Sequence, residues 1–223
     1  MSRSQKKWAM LLTDLFVHIP LYLLVNTYVA ARGISHNLAV PWDYSIPFIK
    51  YFAPFYAVVY FVPVVCFLIC WDNYELVKGG FKAFLFSGLI CLTFFIFYPV
   101  EFQLRASLSA PYDVFENLVR FFYWADNPPY NCFPSLHVSG ALLSARMIYL
   151  YRRSWAPWFY TLAALIVLST MLIRQHYLVD VAAGFFLHLL LSVIFLPGTL
   201  LKTLERGNAV ALKAGADGPV SGV

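Results

Sequence analysis

Six apolar runs, at about residues 8–30, 51–71, 81–100, 133–151, 157–173 and 177–197, dominate the 223-residue sequence. A hydrocarbon core takes about 20 apolar residues per helical span, and each run has that length or falls just short of it. In lipid, backbone polar groups must be satisfied within the segment, so such runs fold as helices packed side by side. The expected fold class is therefore all-α: one polytopic membrane domain of six transmembrane helices over residues 1–206, with its functional core around 133–197. A disordered cytoplasmic tail is expected over 207–223, where Gly, Ala and Val dominate without a period. Composition agrees. Of the residues 61% are hydrophobic and 12% charged, against roughly a quarter charged in soluble domains, which excludes a sizeable soluble domain.

The basic stretch before the first run is similar to the start of a secretory signal. However, residues 8–30 are too long for a signal core and no small-residue cleavage site precedes Arg32, so this run is read as a first span. Pro20, Pro54 and Pro63 lie inside runs, where neighbouring helices can satisfy the freed carbonyls. Trp8, Tyr51, Trp71, Tyr151 and Trp155 fall at run ends, as an aromatic belt would. Of the four cysteines, Cys66, Cys70 and Cys91 sit in apolar runs and only Cys132 lies near an expected surface, so no disulfide is implied.

The net charge of +5 is topological rather than a sign of a nucleic-acid partner. With the N-terminus inside, Arg3, Lys6, Lys7, Lys78, Lys82, Arg146, Arg152, Arg153, Lys202, Arg206 and Lys213 are cytoplasmic. Only Arg32, Lys50, Arg105, Arg120 and Arg174 fall outside. Eleven of the 16 basic residues thus lie within, which places both termini in the cytoplasm. The expected location is a bacterial inner or plasma membrane. The longest loop, 101–132, falls outside. A helix there would gather Phe115, Leu118, Val119 and Phe122 on one face, either lying in the membrane interface or capping the bundle without a lipid role.

Ionisable groups at the edge of a bilayer are costly and read as functional by default. They collect at two places. In Asn131-Cys132-Phe133-Pro134-Ser135-Leu136-His137, Pro134 suits the first turn of the fourth span. In Arg174-Gln175-His176-Tyr177-Leu178-Val179-Asp180, His176 and Asp180 are four apart and would share a helical face. Both helix starts lie at the same outer depth, where free N–H groups and the helix dipole favour anions. Arg105 and Arg174 add fixed positive charge, and the guanidinium fork suits a phosphate.

A carboxylate on one histidine nitrogen fixes the tautomer and leaves the other nitrogen free as nucleophile or base, which fits His176 with Asp180. His137 lacks an acidic neighbour at four residues and is placed to act as general acid. Ser135 would hydrogen-bond a phosphate oxygen. Other readings use the same residues: His137, His176 and Asp180 as an open metal site, a Ser135-His176-Asp180 hydrolase triad, or a non-catalytic protein that binds or transports lipid phosphates. His18 and His188 are read as packing residues, and Asp14 as paired within the bundle.

At these residues the chain resembles the type 2 phosphatidic acid phosphatase superfamily. That family carries a Pro-Ser-Gly-His motif and a later Ser-Arg-x5-His-x3-Asp motif. Here they read Pro134-Ser135-Leu136-His137 and Ser169-Thr170-x5-His176-x3-Asp180. The resemblance implies a metal- and cofactor-free lipid phosphatase or phosphotransferase in which His176 forms a phosphohistidine, Asp180 orients it, His137 protonates the leaving group and Ser135 contacts phosphate. Thr170 stands where the family has an arginine, so the phosphate bond of that arginine is either missing here or supplied by Arg174. The upstream Lys-x6-Arg-Pro motif is not intact, with Arg105 as its remnant. Phe-Pro-Ser-Leu-His, Ser-Thr, and His-Tyr-x-x-Asp with the following Gly184 are similar to the inositol phosphorylceramide synthase branch. The implied partners are a lipid phosphate, membrane lipids and an acceptor that is water, inositol or glycerol.

Overall fold

The computed structural model describes residues 1–197, so the expected 207–223 tail lies outside the described residues. The described chain is helical, with α1 (Arg3–Arg32), α2 (Ala53–Val58), α3 (Val62–Ile69), α4 (Tyr74–Phe97), α5 (Val114–Ala125), α6 (Leu136–Tyr151), α7 (Ala156–Leu172) and α8 (Leu178–Phe195). Five stretches are long and apolar enough to cross a membrane: Arg3–Arg32, Lys50–Ile69, Tyr74–Phe97, Arg153–Leu172 and Leu178–Phe195. This is consistent with an integral membrane protein. The six-span expectation is met only in part, because α6 has 16 residues. At 1.5 Å per residue it spans about 24 Å, less than a hydrocarbon core of about 30 Å.

The second expected span is not one helix. Pro54 and Pro63 each open a new one, at the starts of α2 and α3, where a missing N–H is tolerated. Pro20, by contrast, sits inside an unbroken α1.

α6 is the hub, packed against α3, α4, α7 and α8. Its small residues Ser139, Gly140, Ala141, Ser144 and Ala145 are all buried. The Ser87 and Ser139 hydroxyls meet at 2.8 Å and join α4 to α6. Small side chains and interhelical hydrogen bonds of this kind hold helices together where lipid supplies no hydrophobic drive. At Gly184 of α8 the approach is closest: a Cβ there would lie 2.5 Å from the Ser135 carbonyl oxygen, so only glycine lets the two backbones meet.

The loops at the site end are tied together. His36 N–H donates to the Pro99 carbonyl at 2.8 Å, Glu101 N–H to His36 at 3.0 Å, and Phe102 N–H to Pro129 at 3.0 Å. α5 forms in the 101–132 loop, capped by Asp113 and Glu116. Its buried residues Val119 and Phe122 cluster with Ala53, Tyr56 and Ile173, so this apolar face is covered by protein. Of its large apolar residues, Val114, Phe121 and Trp124 are exposed.

Candidate active site

α6 begins at Leu136, with Ser135 as its N-cap accepting Val138 N–H at 3.4 Å. Pro134 therefore precedes the cap and is not in the first turn. Ser135 is fully buried and its N–H donates to the Asp180 carbonyl at 3.1 Å, which ties the two motifs together through backbone. The cap places His137 in the first turn of α6.

His176 is positioned by a tight reversal after α7. Arg174 adopts a left-handed φ of 59°. Its N–H donates to Met171, while Gln175 N–H and His176 N–H both donate to the Thr170 carbonyl, at 2.9 and 3.1 Å. This is the bonding of a Schellman turn, normally closed by glycine. Thr170, fully buried, thus shapes the turn through its carbonyl, and its hydroxyl donates to Val167 at 2.7 Å.

The pairing of His176 with Asp180 is present, but for a different reason from the one expected. α8 begins at Leu178 with Tyr177 as N-cap, so His176 lies outside the helix and shares no helical face with Asp180. Instead Asp180 reaches back over the helix start. Its Oδ2 accepts Tyr177 N–H at 2.9 Å and pairs with His176 Nδ1 at 3.4 Å. Asp180 is fully buried and its Oδ1 has no hydrogen-bond partner.

The two histidines meet directly, His137 Nδ1 to His176 Nε2 at 3.1 Å. The Tyr56 hydroxyl shares a 3.2 Å hydrogen bond with His137 Nε2. A continuous array Tyr56–His137–His176–Asp180 results, drawn from α2, α6, the α7–α8 turn and α8. Attack geometry needs a nucleophile about 3–3.5 Å from its target atom. His137 occupies that distance from His176 Nε2, so any other atom reaches this nitrogen only if His137 swings aside.

The arginines lie one layer out. The Arg105 Nη groups donate to the carbonyls of Tyr123 and Asp126, at 2.9 and 2.8 Å, and to Gln175 Oε1 at 3.1 Å. The Arg174 guanidinium donates to the Ile46 carbonyl. Among the described residues neither guanidinium hydrogen-bonds a histidine. Both act on Tyr123: burial raises its phenol, against the Ala106 N–H and the charges of Arg105 and Arg174. Burial also pushes the Asp126 carboxyl up, while the Tyr22 hydroxyl, Arg105 and His176 pull it down.

Of the expected set, then, Ser135, His137, His176 and Asp180 converge, while Arg105 and Arg174 flank them. The sequence reading missed Tyr56, Gln175 and Asp43. Asp43 is buried and its carboxylate accepts Leu178 N–H and Val40 N–H, at 2.9 and 2.8 Å. It therefore takes an amide at the α8 start that was expected to face an anion. His188 is buried, in line with a packing role.

For a metal, the structure groups Cys132 rather than His137 with His176 and Asp180, their ligand atoms all within 4.8 Å of one another. Burial pushes the Cys132 thiol well up. A metal would bind this sulfur only as thiolate.

In comparisons with known proteins, the family model described as the PAP2 superfamily matches residues 30–194. No curated protein and no solved structure is significantly similar to the chain.

Proposed function

Since the chain belongs to the PAP2 superfamily, whose members are generally phosphatases, we propose that it is a multi-pass membrane enzyme that cleaves lipid phosphate headgroups through a phosphohistidine at His176. Water as acceptor makes it a phosphatase; an alcohol such as inositol or glycerol makes it a phosphotransferase. The observation that carries this reading is the His137–His176–Asp180 array, with 3.1 and 3.4 Å separations.

In this reading, Asp180 holds His176 Nδ1–H and leaves the Nε2 lone pair to attack phosphorus. His137 protonates the departing oxygen and then takes a proton from the attacking water. Arg105 and Arg174 stabilise charge on the phosphoryl oxygens, and no step requires a metal. Ser135 serves the backbone of the site as well as the phosphate. Helix α6, packed among α3, α4, α7 and α8, completes the six spans as the fourth in chain order. Both termini lie in the cytoplasm and the site faces the opposite side.

The test is incubation of purified protein with radiolabelled lipid phosphates in EDTA, with and without alcohol acceptors. Phosphate or exchanged headgroups are expected, with an acid-labile labelled protein intermediate and inhibition by vanadate. His176→Ala should bind lipid phosphate but turn none over. Turnover near the wild-type rate in that variant would end the proposal.

A further inference from the structure

Tyr56 lies in an apolar segment with no motif around it, yet it is among the largest fully buried side chains. Its hydroxyl meets His137 Nε2 at 3.2 Å and its ring lies 4.8 Å from the imidazole and 4.9 Å from Phe122.

The array fixes its own proton positions. Asp180 Oδ2 already accepts Tyr177 N–H, so its contact with His176 Nδ1 makes that nitrogen the donor. Neutral His176 then carries its lone pair at Nε2, and His137 Nδ1 must donate to it. Neutral His137 in turn has its lone pair at Nε2, which accepts the Tyr56 O–H. One carboxylate thus orders three hydrogen bonds, and only a group that can both donate and accept, as a phenol can, closes the far end in every protonation state.

We propose that Tyr56 is a positioning residue for the acid–base step: its hydroxyl stays on His137 Nε2, as donor or as acceptor, and so orients the ring in both of its protonation states. This rests on the phosphohistidine reading above. In the working cycle His137 takes a second proton at Nε2 and the Tyr56 hydroxyl rotates to accept from it. The lone pair of His176 Nε2 forms the N–P bond. The P–O bond breaks with its electron pair on the leaving oxygen, and that oxygen takes the Nδ1 proton of His137. His137 is left neutral with Nε2–H on Tyr56 and a free Nδ1 lone pair. That lone pair removes a proton from the water that attacks the phosphohistidine, and the N–P pair returns to His176. The proton given to the alcohol is regained from water, so the cycle balances.

Tyr56→Phe removes the hydroxyl and keeps the ring that packs on Phe122. The measurement is the single-turnover rate of phosphoenzyme formation with two substrates, a long-chain alkyl phosphate and p-nitrophenyl phosphate. The alkoxide of the first must be protonated as it leaves; nitrophenolate need not be. Because general acids contribute about 10²–10⁴-fold, the alkyl phosphate rate should fall roughly 10- to 100-fold, while the p-nitrophenyl phosphate rate stays within about twofold and serves as the check on folding. His137→Ala should show the same selectivity, and the double variant should be no slower than His137→Ala alone. Equal loss on both substrates, or no loss on either, overturns the role of Tyr56 while leaving the phosphohistidine standing. Absence of a wild-type phosphoenzyme overturns both.

Discussion

Replacing Gly184 by alanine tests whether the contact between α6 and α8 sets the geometry of the histidine pair. The new Cβ would meet the Ser135 carbonyl oxygen at 2.5 Å and Val138 Cβ at 3.0 Å, where ordinary contact begins at 3.4 Å. Backbone oxygen cannot rotate away, so the two elements must part by the shortfall, about 0.9 Å. The Ser135 N–H bond to Asp180 and the 3.1 Å contact between His137 and His176 lie on either side of that gap. A misplacement near 1 Å costs about 10²-fold in rate, or roughly 2.7 kcal/mol of barrier. Overpacking costs about 1–3 kcal/mol of stability, and the better helix propensity of alanine returns up to about 1 kcal/mol of it. Gly184→Ala should therefore fold, with a modestly lower unfolding midpoint in detergent, and release phosphate from a lipid phosphate about a hundredfold more slowly than wild type. Gly140→Ala is the control: its Cβ would meet only Phe84, at 3.8 Å, so it should keep activity and gain slightly in stability. Wild-type turnover by Gly184→Ala, or an equal loss in Gly140→Ala, would refute the reasoning.

Two further outcomes are expected. Arg174→Gly relieves a left-handed residue, worth about 1–2 kcal/mol, and loses a charged hydrogen bond to Ile46, worth about 1.5–3 kcal/mol. The terms largely offset, so its unfolding midpoint should move little while turnover drops at least about tenfold; a stability loss that fully accounts for the drop in activity would remove Arg174 from the site. Asp113 and Glu116 pair with Lys50 at 2.6 and 3.0 Å. Lys50 holds the Asp113 carboxyl down, and Asp113 N–H with Lys50 does the same for Glu116. Groups lowered in the folded state stabilise it above their unfolded pKa, near 4, and lose that effect as pH falls through the folded values. The gap in unfolding midpoint between wild type and Lys50→Met should be constant from pH 8 to pH 5 and close below pH 4. A gap that widens on acidification would contradict the pairing.

The apolar runs carry most of the fold in plain view, because a helix in lipid is written as one uninterrupted length. What they hide is where a run breaks. Pro54 and Pro63 divide the second run, while Pro20 leaves α1 whole, and nothing in the local sequence separates the two cases. The polar motifs are equally legible at Ser135, His137, His176 and Asp180, since such residues are rare in apolar surroundings. Their geometry is less so. The four-residue spacing of His176 and Asp180 suggests a helical face, whereas the carboxylate reaches back from the third position of α8, a difference that turns on where the helix begins. Asp43 and Tyr56 were beyond reach for another reason. A single acidic residue in an outer loop and a tyrosine in an apolar run look like solvation and packing, and their partners lie 135 and 81 residues away.

The direct contact between His137 and His176 has a practical consequence for finding inhibitors. With His176 95% shielded and its Nε2, the proposed nucleophile, occupied by another side chain, rigid docking of compounds into this shape will find no room at that atom and will favour superficial grooves. Ligands that matter must wedge the rings apart, so they should bind slowly, gain affinity from groups that replace the broken hydrogen bond, and be best discovered by screens that read residence time rather than initial occupancy.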